Sequence, residues 1–123
     1  VSSKITYQQI MALEDIASKV YDEQMTFNEG SEYLAEQHGV NINSAKIYIQ
    51  IYRYLLSGEV FKRDASSEAF DYFLTKIFEK RGRLAHSNAL QALELHIEYL
   101  EEHNGSERNK TRAVLNKHLS KYY

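Results

Sequence analysis

Apolar residues recur at three- and four-residue spacing along most of the chain, the period of helices rather than strands. Over Tyr7 to Gln24, Ile10, Leu13, Ile16, Ala17, Val20 and Tyr21 share one face, with Glu14, Asp15, Asp22 and Glu23 elsewhere: an acidic, inward-packing helix. A second, short helix starts behind Thr26, whose hydroxyl accepts an open backbone N–H while Glu29, three residues on, reaches back to the cap. Gly39 stops it, because glycine takes the left-handed conformation without steric cost. Asn41 caps a third helix in which Ala45, Tyr48, Ile49, Tyr52, Leu55 and Leu56 repeat until Gly58, with Val40 and Ile42 bridging the pair. Residues 26–58 thus read as a helix-turn-helix-like unit, a pattern that any tightly turned helix pair also shows.

The loop Glu59 to Ala65 carries Val60, Phe61, Lys62 and Arg63 into a new cap at Ser66. From there Phe70, Phe73, Leu74, Ile77 and Phe78 form a stripe that ends at Gly82 and is expected to be the centre of the core. A fifth helix, about Leu84 to His103, repeats Ala89, Leu90, Leu93, Ile97 and Leu100. Ser106 then caps a basic last helix with Val114, Leu115, His118, Leu119 and Tyr122 on its buried side. The expectation is an all-α fold, a compact bundle of about six helices in a single domain, 1–123. The Tyr48 to Leu56 run is β-prone in residue type, yet it lies between a cap and a glycine stop and keeps helical spacing.

Composition agrees with this pattern. The 123 residues are enough for a real core without disulfide or metal support, and the complete lack of proline suits uninterrupted helices. There is no cysteine, which excludes a disulfide framework and cysteine-ligated zinc or iron–sulfur sites. No apolar stretch reaches membrane-spanning length, and the start VSSKITYQQI lacks the basic-then-apolar order of a signal peptide, so a cytoplasmic protein is expected.

Catalytic and cofactor chemistry finds no foothold. The five glycines are scattered near helix ends rather than gathered in a phosphate-cradling loop. The five histidines never form the i, i+4 pair with a glutamate that helical zinc hydrolases use, and His96 and His103 are about 10 Å apart along a helix axis. Carboxylates such as Glu98, Glu101 and Glu102 read as a solvated acidic face. No catalytic residue, metal ligand or cofactor site is expected.

Charge changes the picture more. The net value is only −2, but residues 1–40 carry −5, residues 41–83 carry +3, residues 84–105 carry −4 and residues 106–123 carry +4. Such asymmetry is compatible with a basic face over an acidic body, and equally with an ordinary mixed surface. On a DNA reading, Lys62, Arg63, Lys80, Arg81 and Arg83 supply phosphate compensation, while Asn43, Lys46 and Gln50, with Ser44 and Arg53 beside them, reach toward base edges. The basic last helix offers a second contact. The plainer reading makes Lys46, Gln50 and Arg53 the solvated side of an amphipathic helix.

The segments SAKIYIQIYRYLLSGEVFKR (Ser44 to Arg63) and AFDYFLTKIFEKRG with ALQALELHIEYLE (within Ala69 to Glu101) resemble the helical N-terminal domain that precedes the catalytic module in many bacterial HNH endonucleases of the restriction type. The likeness covers most of the chain and includes the Leu56-Ser57-Gly58 stop, Arg63, Tyr72-Phe73-Leu74 and His96-Ile97-Glu98-Tyr99. It implies an accessory module that positions double-stranded DNA for a nuclease domain, non-catalytic by itself, with Arg63 and the start of the third helix as contact candidates. The ββα-metal nuclease part has no counterpart here. Lys62 and Arg81 stand where relatives often carry threonine and tyrosine, and both departures add positive charge. The alternative is a helical protein-interaction or dimerisation module whose aromatic face docks another polypeptide, including a homodimer partner.

Overall fold

The computed structural model describes residues 4–105 and 107–123. Among them the chain is all-helical: α1 (Tyr7–Tyr21), α2 (Phe27–His38), α3 (Ile42–Ser57), α4 (Ser67–Asn104) and α5 (Asn109–Tyr122). It divides into two compact units, one ending at Arg53 and one starting at Tyr54, so that the boundary falls inside α3.

In the first unit the caps set the helix starts. Thr6 and Gln9 form a reciprocal capping box on α1, and Thr26 and Glu29 form the expected one on α2, with bonds of 2.9 and 3.1 Å. The Thr26 backbone N–H, followed by its hydroxyl, holds the Glu29 carboxyl below its ordinary value. Gly39 is left-handed, φ 66°, and the Asn41 side chain accepts from the N–H groups of Asn43 and Ser44. Helix α1 stops at Tyr21, short of the expected Gln24, where Glu23 adopts φ 61°. Gly30 lies within α2 rather than at a helix end. A Cβ there would sit 2.8 Å from Val20 Cγ2 and 2.9 Å from Ile16 Cγ2, so its bareness lets α1 and α2 approach closely. Ile10, Leu13, Ile16, Ala17, Leu34, Ala45 and Ile49 are buried. Two expectations about this unit need correction: Glu14 is buried at 2% exposure rather than on the outer face, while Ile42, at the start of α3, is exposed.

The second unit is built on α4, a helix of 38 residues interrupted at Gly82, whose φ 89° and ψ −176° are outside helical space. The fourth and fifth segments expected from sequence are therefore the two arms of α4, giving five helices among the described residues. Phe78 packs edge-on to His86 at 5.2 Å and Phe70 lies 5.6 Å from His96. Both pairs are centred near Gly82, so the arms run antiparallel. The stripe Phe70, Phe73, Leu74 and Ile77 is fully buried, with Ala89, Leu90, Leu93 and Ile97 of the other arm. The cap expected at Ser106 lies outside the described residues; α5 begins at Asn109, with Arg108 before it making no side-chain cap bond. Leu115 and His118 are buried as expected, whereas Leu119, placed on the buried side from sequence, is 43% exposed.

No helix among the described residues is long and apolar enough to cross a membrane. Phe73, 1% exposed, should cost about 3–5 kcal/mol when changed to alanine, read as a loss of denaturation midpoint. Gly82→Ala should also destabilise, by about 1–3 kcal/mol. No atom lies within 4 Å of a Cβ there, so the whole penalty is backbone strain and alanine and serine should cost nearly the same; a much larger loss for serine would contradict this origin.

Candidate functional site

In the first unit, Asn43, Lys46, Gln50 and Arg53 follow one another at spacings of three, four and three residues, which places them in one stripe along α3. Asn43, Gln50 and Arg53 are exposed and Lys46 is half-buried, while Ser44 is half-buried and off the stripe. The Asn41 cap occupies the N–H groups of Asn43 and Ser44, so the start of α3 presents side chains rather than open donors. Near the other end of the stripe, Gln50 and Arg53 wall a groove of about 450 Å³ whose remaining lining is mostly apolar, including Val20, Tyr21, Phe27 and Ile49. Tyr21, expected in the core, is 44% exposed and meets the buried Tyr52 ring edge-on at 6.3 Å.

The other five candidates belong to the second unit, and α4 separates them. Lys62 and Arg63 are exposed in the loop before its first arm, where the Lys62 ammonium lies 5.7 Å from the centre of the Tyr99 ring. Lys80, Arg81 and Arg83 flank Gly82 at the opposite end of that arm, about 20 Å away at the helical rise of 1.5 Å per residue. Lys80 and Arg83 are exposed and Arg81 half-buried, with the Arg83 guanidinium 4.7 Å from the centre of the Tyr123 ring. The positive segment read from the sequence is thus two groups in this unit, not one patch.

Part of the charge on and just before the basic last helix is matched within its own unit. Arg108 pairs with Asp64, Arg112 with Glu101 at 2.5 Å, and Lys117 with Asp71 at 2.6 Å, while Lys121 lies 5.4 Å from the centre of the Tyr122 ring. The N–H of Arg108, together with Arg112, holds Glu101 below the usual carboxylate range. Burial would raise Asp71, but the bonds from Lys117 and His118 outweigh it and lower its pKa.

Polar chemistry in the second unit is densest around its histidines, which sequence reading treated as isolated. His86 and His118 are buried, with His86 Nε2 3.1 Å from His118 Nδ1. His118 Nε2 lies 2.7 Å from Asp71 Oδ1, His86 Nδ1 lies 2.9 Å from the Tyr123 hydroxyl, and that hydroxyl lies 3.1 Å from the Arg83 carbonyl oxygen. The third buried imidazole, His96, stacks on Phe61 at 4.0 Å, bonds the Phe61 carbonyl through Nδ1 at 2.7 Å and faces Asp64 through Nε2 at 3.0 Å. It fastens the loop before α4 to that helix's second arm. The signal was present in the spacing: His86 and His96 fall in the same apolar stripe as Ala89, Leu93 and Ile97. Nothing along the chain disclosed that α5 would bring His118 and Tyr123 to His86. Among the described residues no group of three or more histidines or carboxylates is arranged to hold a metal ion.

Burial lowers the pKa of all three imidazoles. His86 falls to about 4, through burial first and the charge of His118 second; the bond to Phe61 opposes the shift at His96, and Asp71 opposes it at His118. The sign for stability follows. Between the ordinary 6.5 and about 4 the unfolded chain binds more protons than the folded one, so the contribution of His86, full above 6.5, is lost as pH falls through that window. The melting temperature should therefore fall from pH 7 toward pH 4, and more steeply in the parent than in His86→Gln; equal slopes would show that His86 does not carry the effect. Comparison with family models, curated proteins and solved structures finds no match for the chain.

Proposed function

We propose that the chain is a non-catalytic DNA-binding accessory domain of a bacterial, restriction-type HNH endonuclease system. In this reading α2, the Gly39 turn and α3 act as a helix-turn-helix-like unit. The observation that carries it is the α3 stripe, in which exposed Asn43, Gln50 and Arg53 and half-buried Lys46 alternate amide and cationic groups along one helix face. Asparagine and glutamine amides make paired hydrogen bonds to adenine in the major groove, and arginine and lysine pair with guanine or phosphate. The capped turn supports the same reading by fixing where α3 begins. Phosphate contacts are assigned to exposed Lys62 and Arg63, with Lys80, Arg81 and Arg83 secondary to them because their group flanks the Gly82 break and Arg83 already stacks on Tyr123. Helix α5 is a lesser contact candidate, since two of its four lysines and arginines, Arg112 and Lys117, are paired with Glu101 and Asp71.

A second reading, a protein-interaction module, is favoured by the mostly apolar groove beside Gln50 and Arg53. Fluorescence anisotropy on duplex DNA across a salt series separates the two. Weak binding that falls steeply with salt is expected for the parent, a smaller salt slope for the Lys62→Ala, Arg63→Ala pair, and altered sequence preference for Gln50→Ala. Failure of every duplex to bind at low salt, or unchanged binding by the double variant, would favour the protein-interaction reading.

A further inference from the structure

Four heteroatom contacts run in series through the second unit: Asp71 Oδ1 to His118 Nε2 at 2.7 Å, His118 Nδ1 to His86 Nε2 at 3.1 Å, His86 Nδ1 to the Tyr123 hydroxyl at 2.9 Å, and that hydroxyl to the Arg83 carbonyl at 3.1 Å. Each contact requires one proton between its atoms. The two ends of the series can only accept, one being a carboxylate held ionised by Lys117 and the other a backbone carbonyl. The neutral groups between them supply three protons, one on each imidazole and one on the phenol. Three protons cannot fill four contacts.

We propose that this series is a one-proton switch that selects the hydrogen-bond acceptor of Tyr123. With three protons all donors aim toward Asp71: Tyr123 O–H donates to His86 Nδ1, His86 Nε2–H to His118 Nδ1, and His118 Nε2–H to the carboxylate. The Arg83 carbonyl then receives no bond from Tyr123. Uptake of one proton fills the fourth contact. Tyr123 turns its O–H to the Arg83 carbonyl, His86 becomes the Nδ1–H tautomer and accepts at Nε2, and His118 becomes an imidazolium paired with Asp71. Tyr123 is 50% exposed, which gives the proton a path from solvent at that end.

The surroundings define the range of the switch. From α4, Asp71 favours the charged His118, while the Arg83 guanidinium lies over the Tyr123 ring. From α5, Lys117 and Lys121 oppose the added charge. Phe78 and Tyr122 pack against the imidazoles, with ring centres 5.2 and 4.8 Å from that of His86. A second proton would set His86 Nε2–H against His118 Nδ1–H, so the chain of bonds accepts one proton and resists the next. Its uptake ties the end of α5 to the backbone beside the Gly82 break.

Long-range ¹H–¹⁵N NMR of the full chain, with labelled histidine, reads tautomers directly across a titration from about pH 8 to 4.5. His86 should be the Nε2–H tautomer at high pH and become Nδ1–H as His118 becomes doubly protonated. Tyr123→Phe removes two of the four contacts and leaves two that the neutral imidazoles already fill, so a proton on His118 gains no contact and sets His86 Nδ1–H without its Tyr123 acceptor; the coupled change should move to lower pH. A single His86 tautomer throughout the parent titration would overturn the switch, as would a change at the same pH in Tyr123→Phe. The parent titration decides the matter by itself should the variant not fold.

Discussion

The reversal at Gly82 is the constraint on which the second unit depends. With φ 89° and ψ −176°, this one residue turns α4 back along itself and brings Phe70 to His96 and Phe78 to His86. Few residues other than glycine tolerate that conformation. The antiparallel arms create the surface on which α5 settles; Asp71 and Glu101 on those arms face Lys117 and Arg112, and Asp64 in the loop before them faces Arg108. Direction change, apolar packing and charge matching are thus successive consequences of one backbone conformation.

The charge blocks show how a linear reading can assign to a partner what the fold uses for itself. Residues 84–105 and 106–123 carry −4 and +4, and the second block folds onto α4. Partly exposed pairs of this kind add little stability individually, but together they fix the register of α5 while hydrophobic burial supplies the adhesion. Less of the positive charge is therefore available to a nucleic acid than the sequence suggests. On the proposed DNA reading, the first unit contributes the α3 stripe, which carries one lysine, one arginine and two amides, a composition better suited to selecting than to attracting.

Local features were legible in the sequence, and long-range ones were not. The Thr26 and Asn41 caps, the Gly39 turn and the buried Phe73 stripe all follow from interactions within a few residues or from helical period, and the structure contains each of them. The stop at Gly82 is legible too, and the structure breaks the helix there; the antiparallel return of the second arm is not, because it rests on pairings such as Phe70 with His96 that no helical period encodes. Glu14 and Leu119 went the wrong way because period identifies a face but not its edges, where neighbouring elements decide burial. His86 was set aside because its partners, His118 and Tyr123, are 32 and 37 residues away, and no local pattern encodes such a meeting.

The same arrangement has a kinetic side. Phe78 and His86 are eight residues apart, so closing the α4 hairpin costs little chain entropy, and the contacts that zip outward from Gly82 remain local. The bonds from Asp71 to Lys117 and His118 span 46 and 47 residues. Sequence separation thus favours docking of α5 onto a hairpin already formed, the step that brings His118 to His86.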